Sequence, residues 1–423
     1  MIRTHPAAGH FRSPRTMLQA LLFAATSHIA TLAPADGADW IRLDDGKQMQ
    51  GRVVQVGKEA LRIHRGRGEV EIPLSRVVEW RSIEKSLAEL LERAARAPRG
   101  DVGANVELAR FAAERELVHE ARNFWLRVML LDPSHPGALE GAGGRKSGSK
   151  VQLQSGKQWT DSDEFFATKS KWKDAIEIRT AHFTFHTDVA VDQALDAALR
   201  AEKHYLRFYD FLGPEVGLYV FDEVPEIRVY SNAADFPSAW RSTSAQSWFA
   251  PGENALHVLL SEDRNLRQLF HDATDALLFN AFRRSSGKTG QIPPWAVEGI
   301  SQYFSVTAGH HPDDPWAPLG KPFGPLFTVV ANDPKPVEIK PLLRSSHQEF
   351  RNGPDGARRS AAAYALVHYL LNGDDGRHAQ TFFALLRDAW RGKSIEKELL
   401  AAFGGTPRAL EEALLAHARG HAR

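Results

Sequence analysis

The spacing of hydrophobic residues divides the chain into a β-rich start, a helical middle and a mixed second half. Over residues 39–82, short apolar runs alternate with turn signals such as Asp45-Gly46, a pattern typical of strands joined by tight turns. Residues 84–142 change to helical spacing of the apolar positions. Three strand cores are predicted in the β-rich start: Val53, Val54 and Val56; Leu61 and Ile63; Val70 and Ile72.

The second half combines strands with helices. The predicted strands lie at residues 176–178, 183–186, 227–230 and 256–260. A long amphipathic helix is predicted at residues 191–212, and from Arg264 onward the spacing is chiefly helical. Strands followed by helices indicate an α+β domain over residues 150–420. The glycine- and serine-rich stretch at 141–150 predicts the boundary that precedes it.

The first two segments resemble common accessory modules. Residues 39–82 resemble an SH3-like small β-barrel. In residues 84–142, Ala109, Ala121 and Pro133 fall at the small-residue and proline positions of a tetratricopeptide-type (TPR-like) helical hairpin. Because arrays of such hairpins generally need three or more units, we expect a short helical spacer and not a peptide-binding array.

Composition and charge exclude several classes of function. The 423 residues suffice for two or three domains, and a net charge of +1 indicates neither a nucleic-acid-binding surface nor an acidic tail. The absence of cysteine excludes disulfides, thiolate metal ligands and a cysteine nucleophile. The chain also contains no G-x-S-x-G, P-loop or G-x-G-x-x-G sequence.

The N-terminus has the features of an export signal. Arg3, Arg12 and Arg15 form a basic start, which the apolar stretch MLQALLFAATSHIATLAPA follows. The small residues at 33–35 offer a cleavage point, so residues 1–35 are predicted to be a signal peptide, with a disordered tail as the alternative. The stretch is too short and polar for a membrane span. We therefore expect an exported chain (periplasm, cell envelope or secreted) with no integral membrane segment after cleavage.

The sequence FHDATDALLF, at residues 270–279, falls in a predicted helix over residues 264–282. His271 and Asp275 are four residues apart and project from one face of that helix, with Asp272 about a hundred degrees round from His271. This is the layout of the H-E-x-x-H zinc-binding helix, except that aspartate replaces both the glutamate and the second histidine. Downstream, IPPWAVEGISQYF begins a second helix at its two prolines and carries Glu298, 27 positions beyond His271 (298 − 271 = 27).

These motifs, in this order, resemble the gluzincin-type (peptidase MA-like) zinc metallopeptidase domain of exported bacterial proteins, over residues 176–415. In that family the two helices read roughly L-x-H-E-x-T-H-x-L-L and W-x-x-E-G-x-A-x-Y-F. The resemblance implies a mainly helical α+β fold with a small sheet. The framework residues that this chain keeps are Thr274, Leu277, Leu278, Trp295, Glu298, Gly299, Tyr303 and Phe304.

The resemblance also implies roles for individual residues. His271, Asp275 and Glu298 take the positions of the three metal ligands, and Asp272 takes the position of the general base. Tyr364, 66 positions past the glutamate (364 − 298 = 66), lies where relatives often supply a tyrosine that hydrogen-bonds the tetrahedral intermediate. His368, one turn later, is the alternative for that last role.

The two aspartates change the expected chemistry. An aspartate in place of a histidine makes the site formally neutral, so a bound ion becomes a weaker Lewis acid. The set can hold zinc or a harder ion such as manganese, but more weakly than two histidines and a glutamate would. Asp272 is one methylene shorter than glutamate, and losing its reach forfeits much of a rate contribution of about 10²–10⁴. The sequence thus predicts a pseudopeptidase that binds a peptide or protein ligand in its cleft or acts as a scaffold.

Several alternatives stay open at this point. The chain can be an active metal-dependent hydrolase that uses the His-Asp-Glu set, or an envelope assembly protein that acts through residues 39–142. His271 and Asp275 can also be an ordinary pair on a solvated helix, with Glu298 in a local contact. His257, His310 and His311 are further candidates for the missing ligand.

Overall fold

The computed structural model describes most of the chain from Asp39 to Ala422. The described residues are 39–65, 68–167, 169, 171–221, 224–237, 247–259, 266–283, 292–308, 319–335, 337–352 and 355–422. The predicted export signal at residues 1–35 lies outside them. Among the described residues, no helix combines the length and the apolar character needed to cross a membrane.

The β-rich start forms two small antiparallel sheets, of order β2-β1-β6 and β3-β4-β5. The strands are β1 (Trp40–Leu43), β2 (Gln48–Gln50), β3 (Arg52–Val56), β4 (Ala60–Arg65), β5 (Gly68–Pro73) and β6 (Val77–Arg81). The three predicted strands are confirmed as β3, β4 and β5, but Val70 of β5 is exposed and does not belong to the core. Inward side chains of β1, β3, β4 and β5 share a separate small core, made by Ile41, Leu43, Val53, Leu61, Ile63 and Ile72.

The helical middle is also confirmed. It consists of α1 (Ile83–Arg96), α2 (Val102–Glu114), α3 (Val118–Leu131) and the short α4 (Ala138–Gly141). The stretch at 141–150, predicted to be a break, contains the first strand of a meander that turns at Gly148, which has φ +63°. The meander consists of β7 (Arg145–Ser147), β8 (Lys150–Ser155) and β9 (Gln158–Asp161), and α5 (Ser162–Phe166) follows it.

A five-stranded sheet of order β10-β11-β12-β14-β13 forms the base of the second half. Its elements are β10 (Ile176–Arg179), β11 (Thr184–Thr187), α6 (Val191–Leu212), β12 (Glu226–Tyr230), β13 (Ser247–Ala250) and β14 (Ala255–Leu259). β11, β12 and β14 are parallel, and β10 and β13 are antiparallel edges. The four predicted strands and the predicted helix are confirmed, whereas β13 was not predicted.

The rest of the described chain is helical, as the spacing predicts. The helices are α7 (Leu266–Arg283), α8 (Pro294–Ala308), α9 (Gly324–Ala331), α10 (Ile339–Arg344), α11 (His347–Asn352), α12 (Gly356–Asn372), α13 (Ala379–Trp390), α14 (Glu396–Ala401) and α15 (Pro407–His421). The fold is therefore α+β, mainly helical with small sheets. One hydrophobic core runs from Leu87 of α1 to Ala418 of α15, so the helical middle shares its core with the second half.

A buried polar network joins the helical middle to the second half. The Glu202 carboxylate, on α6, accepts hydrogen bonds from ring Nδ1 of His182 at 2.7 Å and from the His182 backbone N–H at 2.8 Å. Glu84 Oε1, on α1, lies 3.7 Å from Nε2 of His182. Glu120 Oε1, on α3, accepts from the backbone N–H of Ala181 at 2.7 Å. Because His182, Glu120 and Glu202 are buried, these contacts replace hydration.

Raising the pH from 6 to 9 is expected to lower the free energy of unfolding. Burial opposes protonation of His182, but the carboxylates of Glu202 and Glu84 outweigh it and raise the pKa of His182 to about 9. The folded state thus holds this proton more tightly than the unfolded state, whose pKa is about 6.5. The stabilisation is complete below about pH 6.5 and is lost as the pH rises through 9. Burial and the charge of Glu202 also raise the pKa of Glu120 to about 7. This shift likewise lowers the free energy of unfolding as the pH rises from about 4.5 to 7.

Urea unfolding at intervals between pH 6 and 9 measures this effect, and we expect a decrease on the order of 2 kcal/mol. His182→Gln is expected to be less stable at pH 6 and to show a flatter profile above pH 6.5. A free energy of unfolding that rises over this range in the unmodified chain would contradict the assignment.

Candidate metal centre

Two neighbouring helices, α7 and α8, carry the candidate site, and α8 also packs against α12. That second contact needs a residue without a side chain, because a Cβ atom at Gly299 would lie 2.5 Å from the carbonyl oxygen of Ala363. On α7, Thr274 donates to the Phe270 carbonyl at 2.8 Å and accepts from Nε2 of His204, on α6, at 2.9 Å. These contacts fix the rotation of both helices about their axes.

His271 is the centre of the site. Its ring Nδ1 lies 3.0 Å from Oδ1 of Asp272, and its ring Nε2 lies 3.3 Å from Oε1 of Glu298, on α8. The side chain of His271 is 9% exposed and that of Glu298 is 11% exposed. Among the described residues, no hydrogen-bond partner is aligned with the buried Nε2. This nitrogen therefore forms an ion pair with a carboxylate at short range.

Asp272 is held from three sides. Oδ1 accepts from Nδ1 of His271, while Oδ2 accepts from the hydroxyl of Ser247 and, at 3.1 Å, from the side-chain amide of Gln268. Ser247 is the first residue of β13, and Gln268 lies one turn earlier on α7. Both carboxylate oxygens are engaged, so Asp272 orients the imidazole of His271.

Asp275 lies one turn along α7 from His271, and the hydroxyl of Ser301, on α8, donates to Asp275 Oδ1 at 2.5 Å. His271, Asp272 and Asp275 each offer a ligand atom, and these atoms lie within 4.8 Å of one another. Across the described part of the chain, no other group of three or more His, Cys, Asp or Glu residues meets this spacing. The group can hold a metal ion.

Glu298 is positioned by a short polar chain. The side-chain amide of Gln302, one turn along α8, donates to Glu298 Oε1 at 3.0 Å. The Arg267 guanidinium donates to Oε1 of Gln302 at 2.8 Å and lies over the ring of Phe323, with 4.9 Å to the ring centroid. This chain turns the carboxylate towards α7.

The charged side chains of the site compensate one another's charges. Burial opposes the imidazolium of His271, but the carboxylates of Glu298 and Asp275 outweigh it, so the pKa of His271 lies well above its usual value. Burial likewise opposes the carboxylate of Glu298, yet the charge of His271 lowers the pKa of Glu298 to about 2. Burial raises the pKa of Asp275 to about 6. A cation that replaces the His271 proton would meet the same carboxylates.

The other sequence candidates have contacts of their own or lie outside the described residues. The Tyr364 hydroxyl accepts from the backbone N–H of Phe323 at 2.9 Å, and His368 binds Gly320 and His417, as described below. In β14, His257 pairs with Trp248, the neighbour of Ser247. Because side chains alternate along a strand, His257 faces away from the side of the sheet where Ser247 contacts α7. His310 and His311 lie outside the described residues.

The side chains that orient the site were not found from the sequence. Gln268 and Gln302 lie four positions before Asp272 and four after Glu298, so helical spacing alone could have revealed them. Ser247 is 25 residues from Asp272, on a strand that was not predicted, and the sequence gives no signal for that contact.

Comparison of the chain with protein-family models, with curated proteins and with solved structures finds no match.

Proposed function

We propose that this chain is a divalent-metal-binding, gluzincin-like protein whose proteolytic activity is impaired or lost. In this proposal His271, Asp275 and Glu298 hold the ion and Asp272 is a positioning residue. Glu298 lies outside the group of side chains whose ligand atoms are within 4.8 Å of one another, so it would reach the ion through its contact with His271. The observation that carries it is the geometry of Nε2 of His271. Two ligand atoms of a tetrahedral zinc with bonds of 2.0–2.2 Å are about 3.3–3.6 Å apart, and Nε2 lies 3.3 Å from Oε1 of Glu298.

The contact between His271 and Asp272 supports the same reading. Histidines that bind metals nearly always donate their other ring N–H to a carboxylate or carbonyl, which fixes the tautomer and the ring orientation. Asp272 is placed for that role at 3.0 Å. With its other oxygen bound to Ser247 and Gln268, it is poorly placed to take a proton from a water, which is the task of the general base.

The donor set indicates which ions fit. One imidazole and two carboxylates suit zinc and also harder ions such as manganese. A bound ion would supply Lewis acidity and lower the pKa of a coordinated water. The formally neutral ligand set reduces both effects, which is consistent with a site that binds more effectively than it cleaves.

The wider assignment rests on the sequence resemblance. We infer that β1–β6 form an SH3-like module, that α1–α3 form a TPR-like spacer, and that the chain is exported. The cleft beside α7 and α8 would then hold a peptide or protein ligand without cutting it, or serve as a scaffold.

Replacing Asp272 by asparagine is expected to lower the affinity for zinc or manganese about 10–100-fold, the usual cost of losing the group that orients a metal ligand. Titration of the full chain with each ion, followed by calorimetry, measures the affinity. Asp163→Asn, at an exposed position of α5, is the control and should bind as the unmodified chain does. Failure of the unmodified chain to bind either ion at millimolar concentration would overturn the proposal.

An active metal-dependent hydrolase is the second candidate. The hydrogen bond from Ser301 to Asp275 favours it, because it holds this carboxylate in the position that a metal ligand would need. Metal-dependent cleavage of a peptide library that disappears in His271→Ala would establish this function in place of the pseudopeptidase.

A further inference from the structure

We propose that His368, His417 and His421 form a second transition-metal site, separate from the centre on α7 and α8, which takes a late first-row ion such as Zn²⁺ and ties α15 to α12. His368 lies on α12, and His417 and His421 lie four residues apart on α15. Residues four apart share one face of a helix, so both imidazoles of α15 face the same side.

The three rings are spaced as ligands of one ion. Their centroids lie 5.1 Å apart for His368 and His417, 5.7 Å for His368 and His421, and 4.6 Å for His417 and His421. Imidazoles that bind one tetrahedral zinc through bonds near 2.0–2.1 Å have centroids about 5 Å apart. The triangle of rings therefore has the dimensions of a three-histidine site.

The hydrogen bonds of His368 determine its tautomer. Its ring Nε2 lies 3.0 Å from the carbonyl oxygen of Gly320. A carbonyl only accepts, so Nε2 carries the proton and Nδ1 has the free electron pair. That Nδ1 lies 2.9 Å from Nε2 of His417. A backbone carbonyl behind one ring nitrogen, with the other nitrogen facing a second imidazole, is the outer-shell arrangement of metal-binding histidines.

His421 must turn its ring to complete the site. Only the group at His271 brings three ligand atoms within 4.8 Å of one another in the described part of the chain, so a nitrogen of His421 is not yet in place. His421 lies in the last turn of α15 and is partly exposed, and a turn of its ring about the side-chain bonds would exchange present contacts for the ion. Binding would then order the end of α15.

The surroundings select the kind of ion. Phe327, on α9, packs against all three imidazoles, with centroid distances of 5.1 Å to His368, 5.5 Å to His417 and 5.2 Å to His421. A ligand set of neutral imidazoles suits zinc, copper and nickel, whereas manganese prefers carboxylates. The two sites should therefore differ in their preference for manganese.

The test is a titration of the full chain, first freed of metal with a chelator, with Zn²⁺ alone. We expect two ions per unmodified chain. His421→Ala should weaken the second binding event at least about tenfold, and His271→Ala should remove the other event and leave this one. The control is His64→Ala, at an exposed position of β4, which should still bind two ions.

The outcomes separate this site from the proposed centre on α7 and α8. If that centre does not bind zinc, the unmodified chain should bind one ion. His421→Ala should then lower the affinity for this ion, and His271→Ala should leave it unchanged. His417→Gln, checked for its fold by circular dichroism, should show the same loss as His421→Ala. A zinc affinity and stoichiometry that neither variant changes would overturn the proposal. With Mn²⁺, His421→Ala should bind as the unmodified chain does.

Discussion

Replacing Glu298 by glutamine is expected to reduce the affinity of the centre on α7 and α8 for its divalent ion by at least about 100-fold, because losing a direct ligand should cost more than the 10–100-fold of an outer-shell partner. Glutamine has nearly the same shape, and its carbonyl oxygen can still accept from Gln302, so the fold should persist. The amide brings no negative charge, so it is a much poorer ligand for zinc or manganese than a carboxylate.

Calorimetric titration with each ion measures the loss, and circular dichroism checks the fold. Glu92→Gln, on the exposed side of α1, changes the net charge by the same amount and should leave the affinity unaltered. An affinity that Glu298→Gln leaves within a factor of a few would remove Glu298 from the set of ligands.

Replacing Gly299 by alanine is expected to lower the free energy of unfolding by about 1–3 kcal/mol, the range for forcing an extra methyl group into a packed interior. The new Cβ would lie 2.5 Å from the Ala363 carbonyl oxygen and 2.5 Å from Cγ2 of Val367. The carbonyl belongs to the backbone of α12, so α8 has to move away from α12 and takes Glu298 with it. Metal affinity should therefore fall together with stability.

Urea unfolding and metal titration of the same variant measure both effects. Gly420→Ala is the matched control, because Gly420 also lies in a helix, α15, and a Cβ there would meet nothing within 4 Å. That change should leave stability equal or raise it by about 0.5–1 kcal/mol, since alanine restricts the unfolded chain more than glycine does. Equal stabilities for the two variants would show that α8 and α12 are not tightly packed at Gly299.

The sequence predicted those parts of the fold that depend on local periodicity. Helix α6 begins and ends at the predicted residues, Val191 and Leu212, because its apolar stripe is regular and long. Strand β13 was missed because its four residues precede a turn and show no extended alternation. The shared core of α1–α3 with the second half depends on contacts between residues far apart in sequence, which periodicity does not report.

The sequence predicted that His271 and Glu298 lie close together, but not the contacts that surround them. Helical spacing placed His271 and Asp275 on one face of α7, and the structure brings Glu298 to His271. The engagement of Asp272 could not be predicted, because Ser247 comes from a distant strand. Ser301, where the family pattern has alanine, donates to Asp275, which stands where that pattern has histidine. The two positions at which the chain departs from that pattern, Ser301 and Asp275, thus contact each other. Neither residue alone would have predicted this contact.

The buried network around His182 has a consequence for how the chain is made. Glu84 and Glu120 precede their partners His182 and Ala181 by 98 and 61 positions (182 − 84 = 98; 181 − 120 = 61). At a synthesis rate of about 5–20 residues per second, Glu84 is added to the chain about 5–20 s before His182. During that interval the first helices lack the contacts that bury their carboxylates and apolar faces. This early segment is where a growing chain would need protection from misassembly.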